Sequence, residues 1–489
     1  MSETNLAQSS SAIEQHGLNV IPESDRHGKA SGQFWPWAAS NISLFGVSFA
    51  AFILGFGLSF TQALTAAVIG IVFSFSLVGL VALAGKRGSA PTMVLSRAVF
   101  GIRGNAIPAA LSYLLLVGWE TVLVALGVLA TNTVFGQLGW STGDGTAVKI
   151  GAFVVIVGVV IASGVFGFRF IMRIQKWITL ASIILTAVFI ALTASSIDFA
   201  AVMAFPGATD PVTLIAGVVF AATGFGLGWV NSGADYSRYL PRTVSGRSIF
   251  GWTTFGASIA PIVLMVYGLM LATSNPKVLE NIGGDPIGAL TLALPASASW
   301  FLLPYLLVVL LGFMGGAILD IYSSGLALLT LGLKLPRAVA AGIDGVLMAL
   351  GTVYFVFIAG DFFWPFQAFL YLLGVPIAAW AGIFIADLLM RRKNYDEPAL
   401  YSIWGRYHAV NPKAVFLLIF ASVLGFGFVA SPDVSITWTL WEGYFYRALN
   451  ITPDNSAWYW SNIGVFLAVV VGFVGQLLLG RSVVRRQES

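Results

Sequence analysis

Apolar runs of about 20 residues recur along the whole of this chain, and they leave few folds open. A run of that length crosses the ~30 Å hydrocarbon core of a bilayer as a helix, and backbone at that depth must satisfy its own hydrogen bonds. About twelve such runs can be placed, near 36–59, 62–84, 106–130, 149–167, 176–195, 212–234, 250–273, 300–331, 337–358, 362–389, 414–431 and 460–480, and are numbered here as spans 1 to 12. They are continuous rather than alternating in short strands, which points away from an outer-membrane barrel. The chain is 58% hydrophobic and 9% charged, against about 25% charged in soluble domains. The expected fold class is an all-α integral membrane protein.

The few charges orient it. Cytoplasmic loops should be rich in Lys and Arg. Lys86, Arg87, Arg97 and Arg103 follow span 2; Arg169, Arg173 and Lys176 follow span 4; Arg238, Arg242 and Arg247 follow span 6. Lys334 and Arg337 follow span 8, and Arg391, Arg392 and Lys393 follow span 10. Only Lys149, Lys277 and Arg447 fall on the other side. Both termini are therefore expected in the cytoplasm of a cell (inner or plasma) membrane protein. The net charge of +4 reflects this loop bias and not a nucleic-acid surface, since no soluble basic patch interleaved with aromatics exists. No cysteine is present, so thiolate metal sites are excluded. His16, His27 and His408 all lie outside the spans, which argues against intramembrane haem or zinc. No P-loop and no nucleophile–base motif is found, so no cofactor is expected and an enzyme is disfavoured. Residues 1–33 read as a flexible cytoplasmic tail, and 481–489 as a cytoplasmic tail.

Within this frame, residues 220–242, FAATGFGLGWVNSGADYSRYLPR, are unusual. Interior glycines each cost a helix roughly 1 kcal/mol relative to Ala. Gly224, Gly226 and Gly228 around Phe225 therefore suggest a helix broken at membrane depth, or close packing through small residues. Span 1 carries Gly46, Gly55 and Gly57. Two interrupted spans at matching positions suggest inverted repeats with a substrate site between them: spans 1–5 (34–195) and 6–10 (196–395), with spans 11–12 (396–480) added.

Four stretches carry a specific resemblance. Residues 220–242, Trp35 to Phe60 with Asn41, Asp320–Ile321–Tyr322–Ser323–Ser324, and Phe369 to Tyr395 resemble the nucleobase–cation symporter family in its purine–cytosine permease branch. The resemblance spans the membrane part. It implies the leucine-transporter fold, with a five-plus-five inverted repeat and spans 1 and 6 broken. It also implies alternating access and uptake of nucleobases or related heterocycles driven by H⁺ or Na⁺. The family stacks a planar ring between a span 3 Trp and a span 6 aromatic, positions matched here by Trp119 and Phe225. Stacking a base on an aromatic ring is worth roughly 1–3 kcal/mol.

The polar candidates follow. Glu120 lies mid-span, where a charge costs about 2.5–3.5 kcal/mol on insertion scales. It is a candidate for the substrate's polar edge or for the coupling proton, or a neutral helix–helix hydrogen bond. Asp320, deep in span 8, has the same two readings. Ser48 is expected at the break of span 1, and Asn41 and Gln367 read as structural amides. Asp235 and Arg238 read as a gate or ion pair, and Asp387 as charge balance beside Arg391. The chain also departs from the family pattern. Gly316 and Ala317 stand where Asn residues often read the substrate, and Leu123 stands for an amide on span 3. At the positions where Na⁺-coupled relatives place hydroxyls, Leu310 and Leu311 occur, with no Ser or Thr between Trp300 and Tyr322. A hard cation prefers oxygen ligands, so H⁺ is the expected coupling ion. The expected partner is a small heterocycle of cytosine or purine type; alternatives are a vitamin B6, thiamine-pyrimidine or allantoin-like compound, or a facilitative channel or receptor.

Overall fold

In a computed structural model, residues 17–489 are described, except Thr142, Gly167, Lys334, Ser431 and Pro432 and the side chains of 165–176 and 337–338. The basic residues Arg169, Arg173, Lys176, Lys334 and Arg337, together with His16, thus lie outside the described residues or side chains. All regular structure among the described residues is helical. Among the described residues, nine helices are long and apolar enough to cross a membrane, or up to eleven if two bent pairs each count as one. The fifteen-residue helix Pro412–Phe426 matches span 11. The expected runs thus all become helices.

Span 2 (Phe60–Gly88) shows how local sequence sets a boundary. Ser59 Oγ accepts from Gln62 N, and Gln62 Oε1 accepts from Ser59 N at 2.9 Å. This reciprocal cap satisfies two donors that a helix start leaves open. Span 3 (Ala106–Gln137) lies along span 8 (Leu302–Thr330), span 2 along spans 6 and 7, and span 10 (Phe363–Met390) along span 12 (Gly464–Leu479). The most apolar windows of spans 3 and 10 are 83% buried, whereas those of spans 4 and 5 are 28% buried. Spans 3 and 10 are therefore core, and spans 4 and 5 face outward.

Spans 1 and 6 are both interrupted. Span 1 divides into Phe34–Asn41 and Phe45–Leu54, bent by 67° when the short turn before Phe34 is included. The break falls at Ile42–Leu44, before Ser48 rather than at it. Span 6 divides at Phe225 (φ −118°, ψ −100°), between Val212–Gly224 and the short turn Gly226–Trp229.

Residues 17–33, expected to belong to a flexible tail, form instead a strap across the basic face. Ile21 N donates to Ser89 O at 2.9 Å, His27 N to Tyr239 O at 2.9 Å, and Arg238 to Gly17 O at 2.9 Å. Arg26 pairs with Glu397 at 3.2 Å, and Arg242 also binds Glu397. Polar backbone of an apparent tail is thereby matched by groups from spans 2 and 6 and the loop after span 10.

Candidate functional site

The three glycines of span 6 serve the break and close packing together. A Cβ on Gly224 would lie 2.2 Å from the Phe49 ring, one on Gly226 2.3 Å from the Ser74 backbone, and one on Gly228 2.6 Å from Trp119 Nε1. Only glycine lets these three neighbours approach. Gly226 N then donates to Ser74 Oγ at 3.1 Å, supplying a partner for backbone freed by the break.

Between the two breaks lies a cavity of about 60 Å³ lined by Asn41, Phe45, Trp119, Phe225, Gly316 and Asp320, with Ser40, Ser43 and Trp229 also on its wall. Four of the expected site residues, Trp119, Phe225, Gly316 and Asp320, are thus brought together. Trp119 is held edge-on by Phe366 (5.7 Å) and Phe369 (5.9 Å) of span 10, and its Nε1 has no hydrogen-bond partner. Asp320 is 2% exposed, and its Oδ2 is also without a partner. Asn41 donates from Nδ2 to Trp37 O at 2.8 Å and to Ser40 Oγ at 3.0 Å. The wall therefore offers flat aromatic surface, one indole donor and one free carboxyl oxygen.

Two expected site residues lie elsewhere. Ser48 donates to Pro286 O at 2.6 Å, tying the second half of span 1 to the segment before span 8. Glu120 turns away from the cavity, because adjacent helix residues point about 100° apart. Its Oε1 meets Ser324 Oγ at 2.8 Å. Sequence reasoning underrated Asn41 and passed over Ser40, Ser43, Phe45 and Trp229. The available signal for these was the polar cluster Ser40–Asn41–Ser43, unusual in an apolar span.

A wider vestibule of about 570 Å³ opens at the end opposite the basic loops, lined among others by Phe52, Phe56, Glu280, Phe363, Gln367 and Trp460. Gln367, read as a structural amide, lies on that wall. Rings fill the space between vestibule and cavity: Phe49 stacks on Phe220 (4.6 Å) and meets Phe225 (4.9 Å), while Phe45 meets Phe366 (5.6 Å). At the basic end the strap and its ion pairs close the molecule. There Asp235 accepts from Thr92 N (2.7 Å) and Oγ1 (2.8 Å), with the charge of Arg238 also acting on it. Arg238 donates to Tyr322 at 2.7 Å, and Asp387 pairs with Arg391 at 2.5 Å.

With this geometry in hand, the likenesses to known proteins become informative. The family described as "permease for cytosine/purines, uracil, thiamine, allantoin" matches residues 20–447. A putative purine-cytosine permease of Bacillus subtilis, YxlA, is 26% identical over 436 residues, covering 85% of this chain and 88% of the relative. The purine-cytosine permease FCY2 of Saccharomyces cerevisiae is 27% identical over 255 residues, covering 49% of this chain and 45% of FCY2. Among solved structures, Mhp1, a nucleobase-cation-symport-1 family transporter in a closed conformation with bromovinylhydantoin bound, superposes with a TM-score of 0.70 at 19% identity. The match covers 97% of this chain and 96% of Mhp1. Its inward-facing form gives a TM-score of 0.69 at 18% identity, over 97% and 94%.

Proposed function

The chain belongs to the permease family for cytosine/purines, uracil, thiamine and allantoin, and from that premise we propose that it imports one small planar heterocycle by proton-coupled alternating access. It is a multi-pass membrane transporter with the fold of the nucleobase-cation-symport-1 proteins, and not an enzyme. The substrate of this reading is a nucleobase or a near relative, entering from the vestibule side. The basic side, with both termini, faces the cytoplasm of a cell membrane.

One observation carries the reading: Trp119 and Phe225 share a cavity wall with the unpartnered carboxyl of Asp320, between two broken helices. Aromatic faces suit any flat ring, and the carboxyl selects its hydrogen-bonding edge. Buried polar groups left unpaired by a wrong substrate discriminate strongly. Gly316, on the same wall, leaves room where an amide would stand. At about 60 Å³ the cavity is far below the 300–1,000 Å³ of ordinary ligand pockets, so binding requires the Phe layer above it to part. The leucines at 310 and 311 favour H⁺ over Na⁺. An allantoin-like or thiamine-pyrimidine substrate is the second reading, favoured by the carboxyl and glycine in place of amides.

The test is uptake of labelled cytosine by cells lacking their own permease, at acidic outside pH, with a heterocycle panel as competitors. Concentrative uptake abolished by a protonophore is expected. Uptake that only equilibrates, in cells with verified surface expression, would exclude symport. Failure of every panel member to be taken up or to compete would exclude the substrate class.

A further inference from the structure

Next to Trp119 on span 3, the structure holds a second polar cluster whose residues do not line the cavity. Ser324 Oγ lies 2.8 Å from Glu120 Oε1 and 2.9 Å from Asp344 Oδ2. These three residues come from spans 3, 8 and 9. All are fully buried at 0% exposure. The second oxygens of both acids, Glu120 Oε2 and Asp344 Oδ1, have no partner. Tyr113, two turns before Glu120 on span 3, directs its buried hydroxyl toward Asp344 without reaching ordinary hydrogen-bond geometry. Asp320 is the remaining acid that acts on Glu120. Among the described residues, no Lys, Arg or His forms an ion pair with Glu120, Asp320 or Asp344.

A hydroxyl has one hydrogen to donate. If both carboxyls were ionised, Ser324 could satisfy only one of them, and the other contact would set lone pair against lone pair. Both short distances are satisfied together when at least one carboxyl carries a proton. Its position relative to the cavity is also defined. Gly316, Asp320 and Ser324 stand at successive i, i+4 positions of span 8, one stripe of one helix face. Asp320 is on the cavity wall; Ser324 is one turn, about 6 Å, nearer the basic end of the molecule.

We propose that Glu120, Ser324 and Asp344 form the site that holds the coupling proton, with Asp320 as its link to the substrate cavity; this rests on the proton-coupled reading above. Loading adds H⁺ to a carboxylate oxygen of the pair, and release returns it to water on the basic side. No other bond changes. Release leaves two carboxylates facing one O–H. That like-charge contact is relieved by moving span 9 away from spans 3 and 8, so the charge of the pair biases the arrangement of helices. Substrate bound at Asp320 acts on the same pair across one helical turn.

Two measurements on the purified, full-length protein separate this idea from the reading it rests on. The first needs no substrate: infrared difference spectra across a pH titration. A protonated-carboxyl C=O band lost or shifted in both Glu120→Gln and Asp344→Asn is expected, because the proton is shared. A wild-type spectrum with no such band, or a band moved by only one variant, overturns the shared site. The second uses proteoliposomes and the first panel heterocycle that the wild type exchanges. Asp344→Asn should keep exchange while losing at least 10-fold in accumulation driven by a pH gradient. Accumulation by Asp344→Asn equal to wild type overturns the cluster's role alone. A wild type that moves no protons overturns the coupling reading and leaves the infrared result to decide whether the shared proton exists. Should Asp344→Asn fail to fold, Ser324→Ala serves: it keeps both acids, removes the shared hydrogen and is expected to shift the pH dependence of accumulation. An unchanged profile in that variant counts against the proposal.

Discussion

At Trp119 one side chain meets three demands: it packs against span 10, admits the Gly228 backbone and presents a face to the cavity. Trp119→Ala should weaken substrate binding about 10-fold or more, as loss of roughly 1–3 kcal/mol of stacking would. Trp119→Phe should recover part of it. Competition binding against a panel heterocycle checks both; an unchanged affinity in Trp119→Ala would remove the residue from the site. The aromatic pair is what the resemblance implied, with Trp119 also lying away from the interfacial belt, and Asp320 stood out as a charge inside a span, which is unusual there. Asp344 carried the same signal as Glu120, a carboxylate inside an apolar run. Its significance becomes visible only in three dimensions, since Ser324 joins residues 204 and 20 positions away in sequence.

Among the elements, the two broken helices differ in how they announce themselves. Span 6 breaks where glycines cluster, so its break could be read directly. Span 1 breaks at Ile42–Leu44, where no glycine stands. Its own glycines mark something else: Gly46 packs on Leu264, and Gly57 has a positive φ of 81°. Ser48 was misplaced for that reason. Gly226→Ala should destabilise the protein by about 1–3 kcal/mol, the usual cost of overpacking, because the new methyl meets helix backbone. Gly251→Ala in span 7, where nothing lies within 4 Å, should be neutral or stabilising by up to ~1 kcal/mol. Thermal unfolding in detergent compares the two, and equal effects would discount the close approach. The loop between spans 11 and 12 has its own titration. Burial pushes the Glu442 carboxyl up to about 8, and neither of its oxygens has a partner. The folded state thus holds a proton that the unfolded chain releases in the ordinary carboxylate range. Stability should fall as pH rises from that range through about 8, and Glu442→Gln should flatten the slope. Melting temperatures across this window check the sign.

Across the whole molecule, one end is open and the other is tied shut. Glu397 holds both Arg26 and Arg242, so Glu397→Ala should loosen the basic face and favour states open to that side. The chain has no native cysteine, which makes Ser43→Cys on the cavity wall a clean reporter. Its labelling by a membrane-impermeant thiol reagent in inside-out vesicles should rise several-fold when Glu397→Ala is added. No increase would show that the ion pairs do not restrain opening. The all-helical membrane class of the molecule was readable from hydropathy alone, whereas the strap was not, since residues 17–33 are polar and carry no helical period.

The strap also has a place in time. It is the first described part of the chain to leave the ribosome, yet Arg238 lies 221 residues after its contact at Gly17, and Tyr401 lies 383 residues after its contact at Leu18. Through most of synthesis those partners do not exist. The strap finishes docking after span 10 has been made, so a completed basic face reports that the membrane domain has been assembled at least that far.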